Sequence, residues 1–385
     1  MKYRKFGKLA WEASALGFGC MRLPTKDGRG YSDQVDEAES IAMIRRGVDA
    51  GINYVDTAYP YHGGQSEIVL GKALRDGYRD KVKVATKSPV WMIQKPEDFD
   101  TYLREQMTRL QLEHIDFYLL HSLTSARWEP LVKLDVLARA EAAVKDGRIG
   151  HIGFSFHDNH ETFKKIVDAY PGWEMCQIQY NYMDVENQAG TKGLRYAASK
   201  GLAVVVMEPL FGGRLASPPA AVAEVVAGDP EKRTPADIAL QWIWDQPEVS
   251  TILSGMSSMV QVEENIRSAE RSGVGSFGPG DFALIDRVRA KYRERAIIPC
   301  TKCEYCLPCP NGVNIPRNFE LYNDAVVHDD PTLPRFTYGR FLGEKERAEV
   351  CTACRECEEK CPQAILISEW MPKVHQMLGA KPPQG

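Results

Sequence analysis

Residues 54–58 read YVDTA, 82–87 read VKVATK and 115–122 read IDFYLLHS. Each is a short apolar or β-branched run that closes on polar residues. Each precedes a longer stretch with apolar residues at helical spacing, SEIVLGKALRD after the first and PEDFDTYLREQMTRLQ after the second. The alternation extends in both directions. Further strand candidates fall at 15–21 (ALGFGCM), 151–156 (HIGFSF), 176–181 (CQIQYN), 203–208 (AVVVME) and 250–255 (STILSG), which makes eight strand and helix units between residues 15 and 256. Parallel strands need helical crossovers, and eight units over about 250 residues is the length of a closed barrel. An open doubly wound sheet more often carries GxGxxG after its first strand, whereas the GFG at 17–19 lacks the rest of that fingerprint. The sequence therefore predicts an α/β chain built on a (β/α)8 TIM barrel.

The 385 residues are 44% hydrophobic and 26% charged, enough apolar material for a core without disulfide staples. A net charge of -4 and a pI near 6.1 offer no basic stripe for nucleic acid and no polybasic membrane anchor, so small molecules are the expected partners. The N-terminal MKYRKFGKLAWEASALGFG has no apolar run ahead of a cleavage site, and no stretch approaches the roughly 20 apolar residues of a membrane span. A cytoplasmic setting is expected, where thiols stay reduced and clustered cysteines bind metal more often than each other. Of ten cysteines, only Cys20 and Cys176 lie outside two C-terminal runs. That composition break predicts a barrel over 1–295 and a small, mainly helical cysteine-rich module over 296–385.

In such barrels the catalytic groups sit at the C-terminal ends of the strands. Asp56 and nearby Tyr61 follow the second strand candidate, Lys87 ends the third and His121 ends the fourth. Any one of them has a bland structural reading, but four convergent groups with complementary roles form a candidate site. A phenol is a poor acid at neutral pH, and a neighbouring ammonium stabilises its phenolate. Lys87 is expected to lower the Tyr61 pKa in this way, Asp56 to hold Lys87, and His121 to hydrogen-bond a substrate carbonyl. His62 and His157 stand near the same rim. Trp91 and Trp128 are expected in loops that line the pocket, while Trp242 and Trp244 suit helix packing.

The ordered motifs NYVDTAYPYHGGQSE, VATK, IDFYLLH, GFSFHDN, QIQYN and QVEENI resemble the aldo/keto reductase superfamily over about residues 3–290. That resemblance implies a nicotinamide-dependent barrel enzyme acting on aldehydes or ketones, with its catalytic tetrad on Asp56, Tyr61, Lys87 and His121. It also implies that Ser155 and Gln179 hold the nicotinamide carboxamide, although Phe156 stands where the family usually has Asn. Met207 replaces a stacking aromatic and offers a polarizable sulfur. Gly212, Gly213 and Arg214 of FGGRL are expected along the pyrophosphate, with a plain loop as their alternative reading. Ahead of Asn265, the family's terminal Asn, Gly255 and Gln261 stand where basic residues commonly grip the 2'-phosphate of the adenosine. Arg267 is a substitute cation, and the cofactor is expected to be NADPH or NADH.

The first cysteine run is Cys300, Cys303, Cys306 and Cys309 followed by Pro310, and the second is Cys351, Cys354, Cys357 and Cys361 followed by Pro362. The second matches the bacterial ferredoxin spacing, and the first is one residue short in its last gap. Two 4Fe-4S clusters are expected in a ferredoxin-like module, the fourth cysteine of each run serving the other cluster. One set is then Cys300, Cys303, Cys306 and Cys361, and the other is Cys351, Cys354, Cys357 and Cys309. Zinc held by four thiolates is the rival reading. The expected activity is carbonyl and alcohol interconversion by hydride transfer. The alternative is an electron-transfer protein linking NAD(P)H to a redox protein partner, and a regulatory nucleotide-binding subunit is a third reading.

Overall fold

The computed structural model describes residues 1–30, 32–300 and 302–380. A hairpin of β1 (Tyr3–Lys5) and β2 (Glu12–Ser14) comes first. The parallel strands β3 (Leu16–Gly19), β4 (Tyr54–Asp56), β5 (Lys83–Ser88), β6 (Ile115–Leu123), β7 (Ile149–Phe156), β8 (Met175–Gln179), β9 (Ala203–Met207) and β10 (Val249–Ser254) then close a barrel, β10 pairing back onto β3. All eight expected strands are present with bounds shifted by a few residues. The first is the most shortened, because Cys20–Arg22 coil into a 3-10 turn.

The intervening helices are α1 (Glu37–Asp49), α2 (Gln65–Ala73), α3 (Glu97–Leu110), α4 (Ser125–Lys133), α5 (Val136–Lys145), α6 (His160–Ala169), α7 (Gly190–Ser199), α8 (Ala220–Ala227), α9 (Pro235–Trp244) and α10 (Met259–Glu270). Several start at the side-chain caps their sequences offer. Asp36 accepts from the Glu39 N–H, Thr124 from Arg127, Asn159 from Thr162 and Ser258 from Gln261, each satisfying a donor that the first helical turn leaves open.

The β1–β2 hairpin escapes sequence reading, since strands of three residues are too short to show a period. Its loop carries Phe6, which is fully buried with Tyr54 and Phe117, at ring separations of 5.6 and 4.9 Å, and Trp11 meets Phe6 edge-on at 5.2 Å. Trp244 donates its indole N–H to the Ala15 carbonyl at 2.8 Å, and Trp242 packs on Tyr180, the helix-packing roles expected of both. Trp128 departs from expectation. It lies in α4, is 4% exposed and packs against Trp173, because the pocket-side segment forms a helix whose apolar face turns inward.

Two compact units emerge, Met1–Phe211 with Ala236–Gly278, and Gly212–Pro235 with Pro279–Gly385. The second contains α11 (Pro279–Glu294), α12 (Ile315–Val327), α13 (Thr332–Arg340) and α14 (Ile367–Leu378). Its core gathers Phe319, Tyr322, Ile365, Ile367, Met371 and Val374, with partly buried cysteines packed against it. Pro316 sits in the first turn of α12, where its missing N–H costs nothing. Among the described residues, no helix is long and apolar enough to cross a membrane.

Replacing Phe117 with alanine empties the centre of the aromatic cluster. Chemical denaturation followed by tryptophan fluorescence is expected to show a loss of about 3–5 kcal/mol in the transition of the first unit.

Candidate active site and cysteine cluster

Strand register carries the candidate residues toward one end of the barrel, each two positions beyond the last. Asp56 on β4 stands opposite Gly19 of β3 and Ala85 of β5, and Lys87 on β5 stands opposite Leu119 of β6. The fully buried Lys87 ammonium donates to Asp56 Oδ1 at 2.5 Å, to the Thr57 carbonyl at 2.8 Å and to the Tyr61 hydroxyl at 3.2 Å. An ammonium has three hydrogens, and each has an acceptor. The His121 ring lies edge-on to the Tyr61 ring at 5.9 Å. All four predicted tetrad residues therefore meet at one end of the barrel.

The electrostatics differ from expectation in one respect. Burial raises the Tyr61 pKa above its ordinary value, and the opposing pull of Lys87 does not cancel it. The phenol stays protonated at neutral pH. Burial would lower Lys87, but Asp56 and Tyr61 together hold it above its usual value, so the ammonium stays charged. Burial, reinforced by the positive charge of Lys87 and by His157 and Arg127, pushes His121 well below the ordinary histidine range and leaves it neutral. Its Nδ1 is buried with no hydrogen-bond partner among the described residues.

Gln177 was not foreseen. Its Nε2 donates to Asp56 Oδ2 at 3.1 Å and the residue is 1% exposed. Strand alternation puts Gln177 and Gln179 on the same side of β8, so QIQYN contains the signal without distinguishing the two. Gln179 is engaged elsewhere, donating to Asp184 at 2.7 Å and accepting from Gln188 at 2.7 Å. Ser155 Oγ accepts the Ser122 N–H at 2.7 Å and keeps its own O–H as a donor. Phe156 is fully buried edge-on to Phe163 at 5.1 Å, a core position. Met207 is half-buried at the end of β9.

Asn265 donates to Ser254 Oγ at 2.9 Å, tying α10 to the end of β10. Gln261 accepts the Ser257 N–H at 2.8 Å and so closes the turn before that helix. Arg22, also unforeseen, runs across Gly255, where an added Cβ would lie 2.9 Å from Arg22 Cγ. The missing side chain at 255 makes room for the aliphatic stem of Arg22, and an added Cβ at Gly30 would lie 3.4 Å from Arg22 Nη1. Gly212 and Gly213 take left-handed backbone, and Arg214 is 6% exposed and paired with Asp324 at 2.5 Å within the second unit. His62 is fully buried, its Nδ1 2.6 Å from the Ser32 carbonyl. Burial lowers His157 to about 4. Trp91 stays 44% exposed with its ring 5.2 Å from His121, a pocket-wall position.

In the second unit, a cavity is lined by Cys300, Cys303, Cys306 and Cys361 with Ile315, Phe319, Ile365 and Ile367 around them. Three cysteines come from the first run and the fourth from the second. Burial raises Cys306 to about 11, with Cys300, Cys303 and Cys361 adding to the effect. Burial likewise raises Cys357 to about 11, and its sulfur neighbours are Cys309 and Cys351. Cys306 and Cys357 resist deprotonation unless a cationic centre sits beside them, and the apolar residues around the cavity suit an iron-sulfur cluster. Buried Asn318 on α12 bonds the carbonyls of Asn314 and Glu346 at 2.8 Å and accepts the Ala348 N–H at 2.9 Å, fixing the approach to Cys351. Asn311 bonds Thr352 at 2.9 Å and joins the two runs directly.

Comparison with known proteins follows the same division. The aldo/keto reductase family profile matches residues 15–273, and a 4Fe-4S dicluster domain profile matches 299–366. An uncharacterised oxidoreductase of Schizosaccharomyces pombe is 30% identical over 266 residues, covering 66% of this chain and 81% of that protein. An aldo-keto reductase of Bacillus halodurans, solved in its holo form, superposes with a TM-score of 0.62 at 24% identity, over 75% of this chain and 96% of that one. One from Klebsiella pneumoniae in complex with NADPH gives 0.61 at 22% identity, over 75% and 95%. The chain belongs to the aldo/keto reductase family and carries a C-terminal 4Fe-4S dicluster domain.

Proposed function

We propose that the barrel interconverts a small aldehyde, ketone or sugar carbonyl with the corresponding alcohol, Tyr61 donating the proton. The observation that carries this reading is the row Asp56, Lys87, Tyr61 beside an uncharged His121. Bound NADPH or NADH supplies the hydride. Burial keeps the Tyr61 proton in place until a carbonyl oxygen develops negative charge, and Lys87, 3.2 Å away, stabilises the phenolate left behind. Asp56 holds the ammonium, and Gln177 holds Asp56. His121, neutral at the same rim, serves as the hydrogen-bond partner of the carbonyl oxygen. Ser155 has a donor for the carboxamide, with Gln179 and Met207 lining the same end of the barrel. Arg214 reads as an ion-pair residue of the second unit, and Gly212 and Gly213 as its lead-in turn.

In the second unit, Cys300, Cys303, Cys306 and Cys361 hold one 4Fe-4S cluster and Cys351, Cys354, Cys357 and Cys309 the other, in a cytoplasmic, thiol-reducing setting. A second reading, electron transfer from NAD(P)H to a redox protein partner, is favoured by Cys303 and Cys354, which are exposed and so bring the cluster edges near the surface. Such clusters pass single electrons.

Tyr61→Phe is expected to lower kcat for reduction of 4-nitrobenzaldehyde at least about 100-fold, and the parent rate is expected to show no alkaline loss below about pH 9, because the phenol titrates above its ordinary value. A parent-like rate in Tyr61→Phe removes the acid assignment. Anaerobically purified protein should hold about eight irons per chain, and Cys361→Ser should lose about half of them while leaving the cluster of the second run intact. Rapid mixing of that protein with NADH separates the two functional readings, since bleaching of the brown chromophore without added carbonyl supports electron transfer.

A further inference from the structure

Glu67 lies on the first turn of α2, six residues past Tyr61, and is completely buried. No step described above uses it. A carboxylate removed from water is costly to bury, and it persists where its oxygens are fully engaged. Glu67 Oε1 accepts from Thr86 Oγ1 at 2.7 Å and from Gln106 Nε2 at 2.6 Å, and Oε2 accepts from Arg109 Nη1 at 3.3 Å. Burial pushes its pKa up, and these three donors oppose that rise.

Its partners each hold a second point. Gln106 Nε2 also reaches the carbonyl of Lys87 at 3.1 Å, and Arg109 Nη1 also reaches the carbonyl of Tyr59 at 3.2 Å. The Tyr118 hydroxyl donates to Gln106 Oε1 at 2.6 Å, which orients the amide so that its nitrogen faces Glu67. Gly64, with φ +93°, is where the chain turns into α2, and a Cβ there would lie 2.9 Å from Arg109 Nη1. The glycine thus permits both the left-handed turn and the passage of Arg109. One carboxylate therefore braces two backbone segments at once, the end of β5 that carries the ammonium and the loop that carries the phenol.

We propose that Glu67 is a positioning residue for proton transfer, setting the separation of Lys87 and Tyr61 through Gln106 and Arg109. The kinetic part of this proposal rests on the acid role of Tyr61. A glutamine at 67 has nearly the same shape but only one acceptor oxygen, so whichever way its amide faces, an N–H donor meets Arg109 or the pair Gln106 and Thr86, and one arm of the brace releases while the volume is kept.

The test uses the full chain labelled with 13Cζ-tyrosine, with the Tyr61 resonance identified by its loss in Tyr61→Phe. That resonance reports the hydrogen bond from Lys87 and needs no substrate. In Glu67→Gln it is expected to move, and kcat with NADPH and 4-nitrobenzaldehyde is expected to fall about tenfold with KM for NADPH within about twofold. Arg109→Met, which frees the Tyr59 arm by removing its donor, should move the resonance as well. An unmoved resonance in a folded Glu67→Gln protein, or a lowered melting temperature alone, overturns the proposal. If Glu67→Gln fails to fold, Gln106→Leu decides by the same resonance. Should Tyr61→Phe reduce the aldehyde at the parent rate, the acid role fails, and the resonance still decides whether Glu67 sets the phenol's position.

Discussion

A lysine ammonium with no contact to water is the constraint around which the first unit is arranged. Removing such a charge from solvent is tolerable only where each of its hydrogens meets an acceptor and a counter-charge lies close. Lys87 meets both conditions through Asp56, the Thr57 carbonyl and Tyr61, which come from the adjacent strand β4 and the loop after it. The barrel must therefore hold β4 and β5 in one register, and the loop to Tyr61 in one conformation. Departure from either strands a buried charge. The same low-dielectric surroundings raise the pKa of the Tyr61 phenol and, together with the Lys87 charge, lower that of His121, so a protonated phenol and a neutral imidazole stand side by side.

The second unit solves a related problem with opposite charge. Burial raises the Cys306 and Cys357 thiols to about 11, so it disfavours thiolates at these two positions. A cationic iron centre reverses that balance by stabilising the thiolate. Asn318 and Asn311 carry much of the geometry, since they stitch α12 to the entry of the second run and one run to the other. Crossing of the runs, rather than each run closing on itself, is what the cavity lined by Cys300, Cys303, Cys306 and Cys361 reflects.

Much of the barrel was legible because its strands are separated by long amphipathic helices, which makes the alternation plain over eight units. The β1–β2 hairpin was not legible, since three residues per strand carry no period and its purpose, covering Phe117 and Tyr54, depends on residues far along the chain. Trp128 was assigned to the pocket from its place after a strand, yet α4 turns it into the core. The sign of the Tyr61 shift was missed for a similar reason. The neighbouring cation can be inferred from strand ends, whereas the burial that outweighs it is a property of the packed site.

The sequence by itself determined which residues end the strands and how the cysteines are spaced, because both follow from local periodicity and from the short reach of the chain between neighbouring ligands. That was sufficient to bring Asp56, Tyr61, Lys87 and His121 to one rim. Only the tertiary structure decided how each polar group is engaged: Gln177 on Asp56, Gln179 on Asp184 and Gln188, Arg214 on Asp324, Arg22 across Gly255, and Glu67 between two segments. A hydrogen bond is settled by distance and direction to within a few tenths of an ångström. Residues more than a hundred positions apart, as Gln177 and Asp56 are, acquire that proximity only when the barrel closes.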